Sequence, residues 1–153
     1  MIQFVTITGP RAVADLPVAE LGRRFEAYLG PFAVPGSHFY LGGATGVDTL
    51  ALDWLAQHTG AALTVAVPCR LVDQPTDARQ VVARWQSRDR LTEVVELRAA
   101  TLGTDAYHAR NRWMVDRSSL VVGFPRRNHP ASGTWYTLNY AAERGTPHLV
   151  VPV

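Results

Sequence analysis

Three segments of this sequence carry the residue types needed to hold negatively charged oxygen atoms. They are Thr8-Gly9-Pro10-Arg11, Gly42-Gly43-Ala44-Thr45-Gly46-Val47-Asp48, and Ser132-Gly133-Thr134. Glycine lets a ligand come up against the backbone. Amides at the start of a helix have no intrahelical acceptor and sit at the positive end of its dipole. A small-residue turn running into a helix therefore makes an anion nest. Arg11 can add a planar, two-pronged contact to phosphate. The chemistry on offer is capture of a phosphate group by Gly9, Arg11, Gly42, Gly43, Ala44, Thr45, Gly46, Ser132, Gly133 and Thr134.

Each segment also has a plainer reading. Thr8 to Arg11 can be an ordinary turn with a solvated arginine. Asp48 falls in the first turn of a helix, where capping or a dipole contact is the simpler role, and accepting from a ribose hydroxyl the other. Ser132 is a natural N-cap, but a cap alone has no use for Gly133, which favours binding. Three glycines between 42 and 46 argue the same way. Their spacing, Gly-Gly-x-x-Gly, is neither the dinucleotide fingerprint nor a P-loop, which would need Gly-Lys-Ser/Thr. Between the second and third segments lies His108-Ala109-Arg110-Asn111-Arg112. On a helix Arg110 shares a face with Met114, and Asn111 lies about a quarter-turn away. Asn111 can read a base or ribose edge and Arg110 a phosphate, or both can belong to a solvated helix face.

The elements that would position these residues alternate. An apolar, β-branched run from Ile2 to Thr8 predicts a buried strand stopped by Gly9-Pro10. Pro17 opens a helix with Val18, Leu21, Phe25 and Leu29 at helical spacing, closed by Gly30-Pro31. Strands follow at His38–Leu41, Ala62–Val67, Glu93–Leu97, Ser119–Phe124 and His148–Val153. Helices follow from Val47 to Gly60, Thr76 to Arg90, Thr104 to Arg117, and Ser132 to Arg144. Strands alternating with helices predict an α/β, Rossmann-like, doubly wound and mostly parallel sheet with helices on both faces. Ligands of such sheets bind outside the carboxyl ends of the strands, which is where the three segments leave them.

Composition narrows the classes. The chain has 153 residues, 47% hydrophobic and 18% charged, which suits one globular domain spanning 1–153. There is no apolar run long enough to span a membrane and no basic leader before Ile2, so no membrane partner and a cytoplasmic location are expected. Cys69 is the one cysteine and has no partner for an internal disulfide. All 15 basic residues are arginine, yet a net charge of +2 does not by itself single out nucleic acid. Five arginines fall between Arg110 and Arg127 with Asp116 as the only acid among them, and Trp113 and Trp135 lie nearby. Phosphate contacts plus stacking suit an unpaired strand. The histidines show no ligand spacing, so neither metal nor cofactor is expected. There is no Gly-x-Ser-x-Gly elbow, and Asp48 and Glu143 are the only candidates for a general base. A binding protein is therefore expected ahead of an enzyme. Tyr136 and Tyr140 share a helix face that suits either a homodimer contact or the core.

In this order the segments resemble a known family. Gly9-Pro10-Arg11 followed by Gly42-Gly43-Ala44-Thr45-Gly46-Val47-Asp48-Thr49-Leu50-Ala51 looks like the two signature turns of the Rossmann domain of DNA-processing protein A (DprA/Smf). Arg110-Asn111, Ser132-Gly133-Thr134 and Ala141-Ala142-Glu143-Arg144-Gly145 are similar to its later blocks. The family falls within the SLOG superfamily, with LOG-type nucleotide phosphoribohydrolases and nucleotide sensors. The resemblance implies that Arg11, residues 42–48, Arg110, Asn111 and Ser132 to Thr134 line one pocket, which in DprA takes single-stranded DNA. Two departures stand out. Proline replaces the serine of the family's Gly-Ser-Arg turn, and Thr137 stands where LOG-type enzymes place a catalytic glutamate. The expected function is binding of a nucleotide or nucleotide-derived ligand. The alternatives are single-stranded DNA binding in the manner of DprA, and nucleotide hydrolysis of the LOG type.

Overall fold

The structure is a computed structural model that describes residues 3–130 and 132–153. Six strands, β1 (Phe4–Thr8), β2 (His38–Leu41), β3 (Ala62–Val67), β4 (Glu93–Glu96), β5 (Leu120–Gly123) and β6 (His148–Val150), form one sheet in the order β4-β3-β2-β1-β5-β6. Every pairing is parallel. Five α-helices connect them: α1 (Val18–Tyr28), α2 (Val47–His58), α3 (Thr76–Ser87), α4 (Thr104–Asp116) and α5 (Gly133–Glu143). The chain steps outward from β1 to β4, then returns through α4 to the far side of β1. Strand order therefore reverses between β1 and β5, the switch point where open α/β sheets bind ligands.

Alternation along the strands decides which helix covers which face. Val5, Ile7, Phe39, Leu41, Leu63, Val65, Leu120 and Val122 point to one side. There they pack with Leu21 and Phe25 of α1, Val47, Ala51 and Leu55 of α2, and Val82 and Trp85 of α3. On the other side Tyr40 and Ala66 meet Met114 of α4, and Val121 meets Val115, Leu138 and Ala141 of α4 and α5. The sheet is doubly wound as the pattern predicts, and parallel throughout.

Two ends differ from the sequence reading by three residues. Helix α3 stops at Ser87 because Asp89 takes a left-handed backbone conformation at φ 56°. Arg90 is thereby turned out of the helix, and it donates to the carbonyls of Leu55, Ala56, Thr59 and Ala61. It gives a donor to the Ala56 carbonyl in the last turn of α2 and to the Thr59 and Ala61 carbonyls just beyond, and it adds to the bonds that the Leu55 carbonyl accepts from Thr59. The last strand is assigned only to Val150, although the amides of Val151 and Val153 still bond the carbonyls of Gly123 and Pro125. Among the described residues no helix is long and apolar enough to cross a membrane.

Candidate functional site

A cavity of about 890 Å³ opens at the carboxyl ends of β1 and β5. One wall is the turn after β1, Thr8 to Ala12. A second is Ala44 and Asp48 beside β2. The third is the first half of α4, from Gly103 and Thr104 through Tyr107, His108, Arg110 and Asn111. The last is His129 and Pro130 with the start of α5, Ser132 to Tyr136. Three turns far apart in sequence therefore meet at one rim of the sheet.

Glycines make that meeting possible. A Cβ on Gly9 would lie 2.4 Å from Cβ of Val47, so the turn after β1 rests directly on the start of α2. Gly46 has φ 88°, and a Cβ there would lie 2.4 Å from the Pro10 carbonyl oxygen. The Val47 amide donates to that same carbonyl at 3.1 Å. Gly43, also left-handed at φ 62°, fits against Val65 and Val67, while Gln74 donates to its carbonyl at 2.8 Å. These contacts have a consequence for the glycine-rich segment. Gly42, Gly43 and Gly46 are buried and lie outside the cavity wall, and Thr45 turns away to donate to Asp77 at 2.9 Å. Of the seven residues from 42 to 48, Ala44 and Asp48 reach the wall.

Arg110 and Asn111 are only 4% and 8% exposed, so the solvated-face reading of this helix is overturned. Helix α4 lies across the sheet, and that places both side chains beneath it. The Arg110 guanidinium donates to the carbonyls of Gly42 and Ala66 and to Asn111 Oδ1, the last at 2.8 Å. Asp48 does not cap α2. The N-cap is Gly46, without a side-chain bond, and Asp48 instead accepts from the Ala44 amide at 3.3 Å. Burial pushes the Asp48 carboxyl above the usual carboxylate range, against the opposing pull of Arg110. Burial likewise lowers the pKa of Arg110, against the field of Asp48. Arg11 is exposed at the mouth, its guanidinium carbon 4.1 Å from the centre of the Tyr107 ring. Arg110 lies 5.6 Å from the same ring centre.

Two helix starts face this space. Ser132 caps α5 by accepting from the Trp135 amide at 3.3 Å, which leaves the Gly133 and Thr134 amides without intrahelical acceptors. A Cβ on Gly133 would touch nothing within 4 Å. Helix α4 begins after its N-cap, Gly103, which brings no side-chain cap. Both positive helix ends thus bear on one cavity.

The sequence reading missed Thr104, Tyr107 and His108 as site residues, although steps of three and four residues run from Thr104 to Tyr107 and His108 and from these to Arg110 and Asn111, the signal of a shared helix face. His108 stacks on Tyr136 with ring centres 3.5 Å apart and planes at 6°. Other expected residues are not brought in. Glu143 is exposed at the far end of α5, ten residues and therefore roughly 15 Å along the axis from Gly133. It cannot work with Asp48. Trp113 packs edge-on against Tyr40, outside the cavity, whereas Trp135 lines it. The arginine-rich stretch disperses: Arg112 donates to the Tyr136 hydroxyl, Arg117 lies over Trp113, and Arg126 pairs with Asp15. Tyr136 and Tyr140 bond to Arg112 and Asp116 along the seam between α4 and α5. Among the described residues no three His, Cys, Asp or Glu side chains converge as a metal site would require.

No family model matches the sequence, and no curated protein matches it. Solved structures do. DNA processing protein A from Helicobacter pylori, described by its single-stranded DNA binding mode, superposes with TM-score 0.70 at 22% identity over 99% of this chain and 66% of its own. DprA from Streptococcus pneumoniae gives TM-score 0.72 at 20% identity over 99% of this chain and 50% of its own. The Moco carrier protein from Chlamydomonas reinhardtii gives 0.57 at 17% identity, over 100% of this chain and 78% of its own. This chain spans about half to two thirds of the length of the DprA structures. With its six parallel strands and its reversal between β1 and β5, it has the Rossmann-like fold that these DprA structures contain.

Proposed function

We propose that this chain binds a nucleotide or nucleotide-derived ligand in the cavity between β1 and β5, with the phosphate held by Arg11 and the amides of Gly133 and Thr134. The observation that carries the reading is the convergence of two helix starts and an exposed arginine on one concavity. Its volume of about 890 Å³ lies within the range of small-molecule sites. Gly9 and Ala44 bring backbone to the wall. Asp48, Arg110 and Asn111 form its polar floor, and the paired rings of His108 and Tyr136 offer a flat side to a base. Gly42, Gly43, Thr45 and Gly46 serve this site from behind, by letting the floor and the turn after β1 close up.

A single-stranded nucleic acid is the second reading, supported by the fold shared with the H. pylori protein. Hydrolysis has less support. Asp48 is the one carboxylate in the wall, glycosidic cleavage ordinarily uses a pair, and Thr137 donates to the Gly133 carbonyl where a glutamate would be needed.

Titration calorimetry with adenosine monophosphate, adenosine diphosphate, a cyclic nucleotide and inorganic phosphate tests the proposal. Saturable heat with the nucleotides, weaker with phosphate alone, is expected. No heat and no thermal shift with any of them would overturn it.

A further inference from the structure

We infer that the ion pair between Asp15 and Arg126 positions one wall of the switch-point cavity, holding residues 126–130 in place so that a bound ligand leaves slowly. This rests on the reading of that cavity as a ligand site. Neither side chain lines the cavity, but each sits close along the chain to residues that do. Asp15 lies three residues beyond Ala12, and Arg126 three before His129, and both Ala12 and His129 line the wall.

Both ends of the pair are fixed in advance by backbone. Val13 is buried, and its carbonyl accepts from the Leu16 amide at 2.9 Å, closing a turn that presents Asp15. Phe124 is fully buried and its amide donates to the Thr8 carbonyl at 3.0 Å, while the Pro125 carbonyl accepts from the Val153 amide. Arg126 therefore leaves an anchored strand end. It reaches Asp15, 111 residues away in sequence, with two prongs: its terminal nitrogens donate to Oδ1 and Oδ2 at 3.1 and 2.6 Å. Parallel bonds of this kind fix orientation as well as distance. An ordinary surface pair contributes little because two mobile side chains must be ordered to make it. Here the Arg126 side chain is only 24% exposed, and each partner is carried by a short turn or strand end.

Past Arg126 the chain has little else to hold it. The His129 amide donates to the Arg126 carbonyl at 3.3 Å, a bond internal to the segment that turns His129 and Pro130 towards the wall. Among the described residues, the fork pair supplies the only hydrogen bonds between residues 126–130 and the rest of the chain. Residues Arg127 to Pro130 are exposed. Removing the Asp15 charge then has two opposed consequences. By its field alone, loss of a negative charge strengthens the hold on a phosphate. By freeing the wall, it releases the ligand faster. The sign of the effect separates positioning from simple electrostatics.

Limited proteolysis with trypsin and stopped-flow kinetics on the full chain test the inference. Asp15→Asn is expected to raise cleavage after Arg126 and Arg127 about fivefold relative to cleavage after Arg88, which is exposed just past α3. Adenosine monophosphate should suppress the added cleavage. Displacement of N-methylanthraniloyl adenosine monophosphate by excess adenosine monophosphate should be about fivefold faster in Asp15→Asn, with association no slower. Arg126→Gln should speed dissociation equally, and the double variant no more than either, because all three remove one interaction. Unchanged cleavage after Arg127, unchanged or slower dissociation in Asp15→Asn, or additive effects in the double variant would overturn the positioning role and leave the cavity reading standing. No binding by the wild type removes the cavity reading, and the cleavage ratio then decides by itself whether the pair holds the wall.

Discussion

The guanidinium of Arg110 and the carboxyl of Asp48 both border the space over the Cα of Gly42. A Cβ at that position would lie 2.6 Å from Cζ of Arg110 and 2.7 Å from Oδ2 of Asp48. The space left by an absent side chain is bordered by two buried ionisable groups of the cavity floor. Either charge alone would be expensive to bury, and each reduces the cost of the other. Arg110 also ties α4 to the turn after β2, by donating to the Gly42 carbonyl 68 residues away in sequence.

Gly42→Ala should therefore push these two charged groups apart. The expected loss is about 1–3 kcal/mol, typical of overpacking at a rigid site. Urea unfolding checks it, with a lowered midpoint at unchanged slope as the expected result.

Two other glycines should behave oppositely to each other. Gly46→Ala introduces a left-handed alanine against the Pro10 carbonyl, and a loss of about 1–3 kcal/mol is expected. Gly133→Ala meets open space with no left-handed backbone, so stability should stay within about 0.5 kcal/mol. Its methyl group would stand where the phosphate is proposed to lie. Affinity for adenosine monophosphate should then fall about tenfold, or about 1.4 kcal/mol. Unfolding and calorimetry on the same two proteins separate the effects, and unchanged affinity in Gly133→Ala would place the phosphate elsewhere.

Arg11→Ala is expected to lower nucleotide affinity by about 1.5–3 kcal/mol, the range for a hydrogen bond to a charged group. Arg11 is exposed at the mouth, so unfolding midpoints should barely move. An affinity loss within assay error would remove Arg11 from the site.

Acid titration should distinguish two aspartates by sign. Arg126, hydrogen-bonded to Asp15, holds the Asp15 carboxyl below 3.8. Its share of stability is present above that value and is lost as pH falls through the lowered pKa. Burial holds Asp48 above 3.8, so its share is largest below that value and is lost as pH rises through the raised pKa. The stability difference between wild type and Asp15→Asn should thus grow with rising pH across the acid range, and that between wild type and Asp48→Asn should shrink. Two slopes of the same sign would contradict the assigned environments.

Much of the architecture was legible in local sequence. Pro17, Gly9-Pro10 and Pro68 mark element ends by removing donors or fixing φ, and the β-branched runs at Ala62–Val67 and Leu120–Gly123 read as buried strands because both faces of a parallel sheet are covered. Ser132 as a cap was equally local. Arg90 was not, because it serves the end of α2 from beyond α3, and nothing in its own neighbourhood signals carbonyls some thirty residues away. Tyr107 was missed for a related reason: an aromatic at helical spacing reads as core until a guanidinium from another turn is found lying on it.

Read alone, the amino-acid order determined the alternation of strands and helices, the parallel sheet, and which turns leave it at the carboxyl edge, since periodicity and breakers act over a few residues. Only the tertiary structure decided what each small residue is for. Whether a glycine admits a ligand or a neighbouring helix depends on what occupies the space beside it. At Gly42, Gly43 and Gly46 that space holds this protein's own side chains and carbonyls, and at Gly133 it stands open.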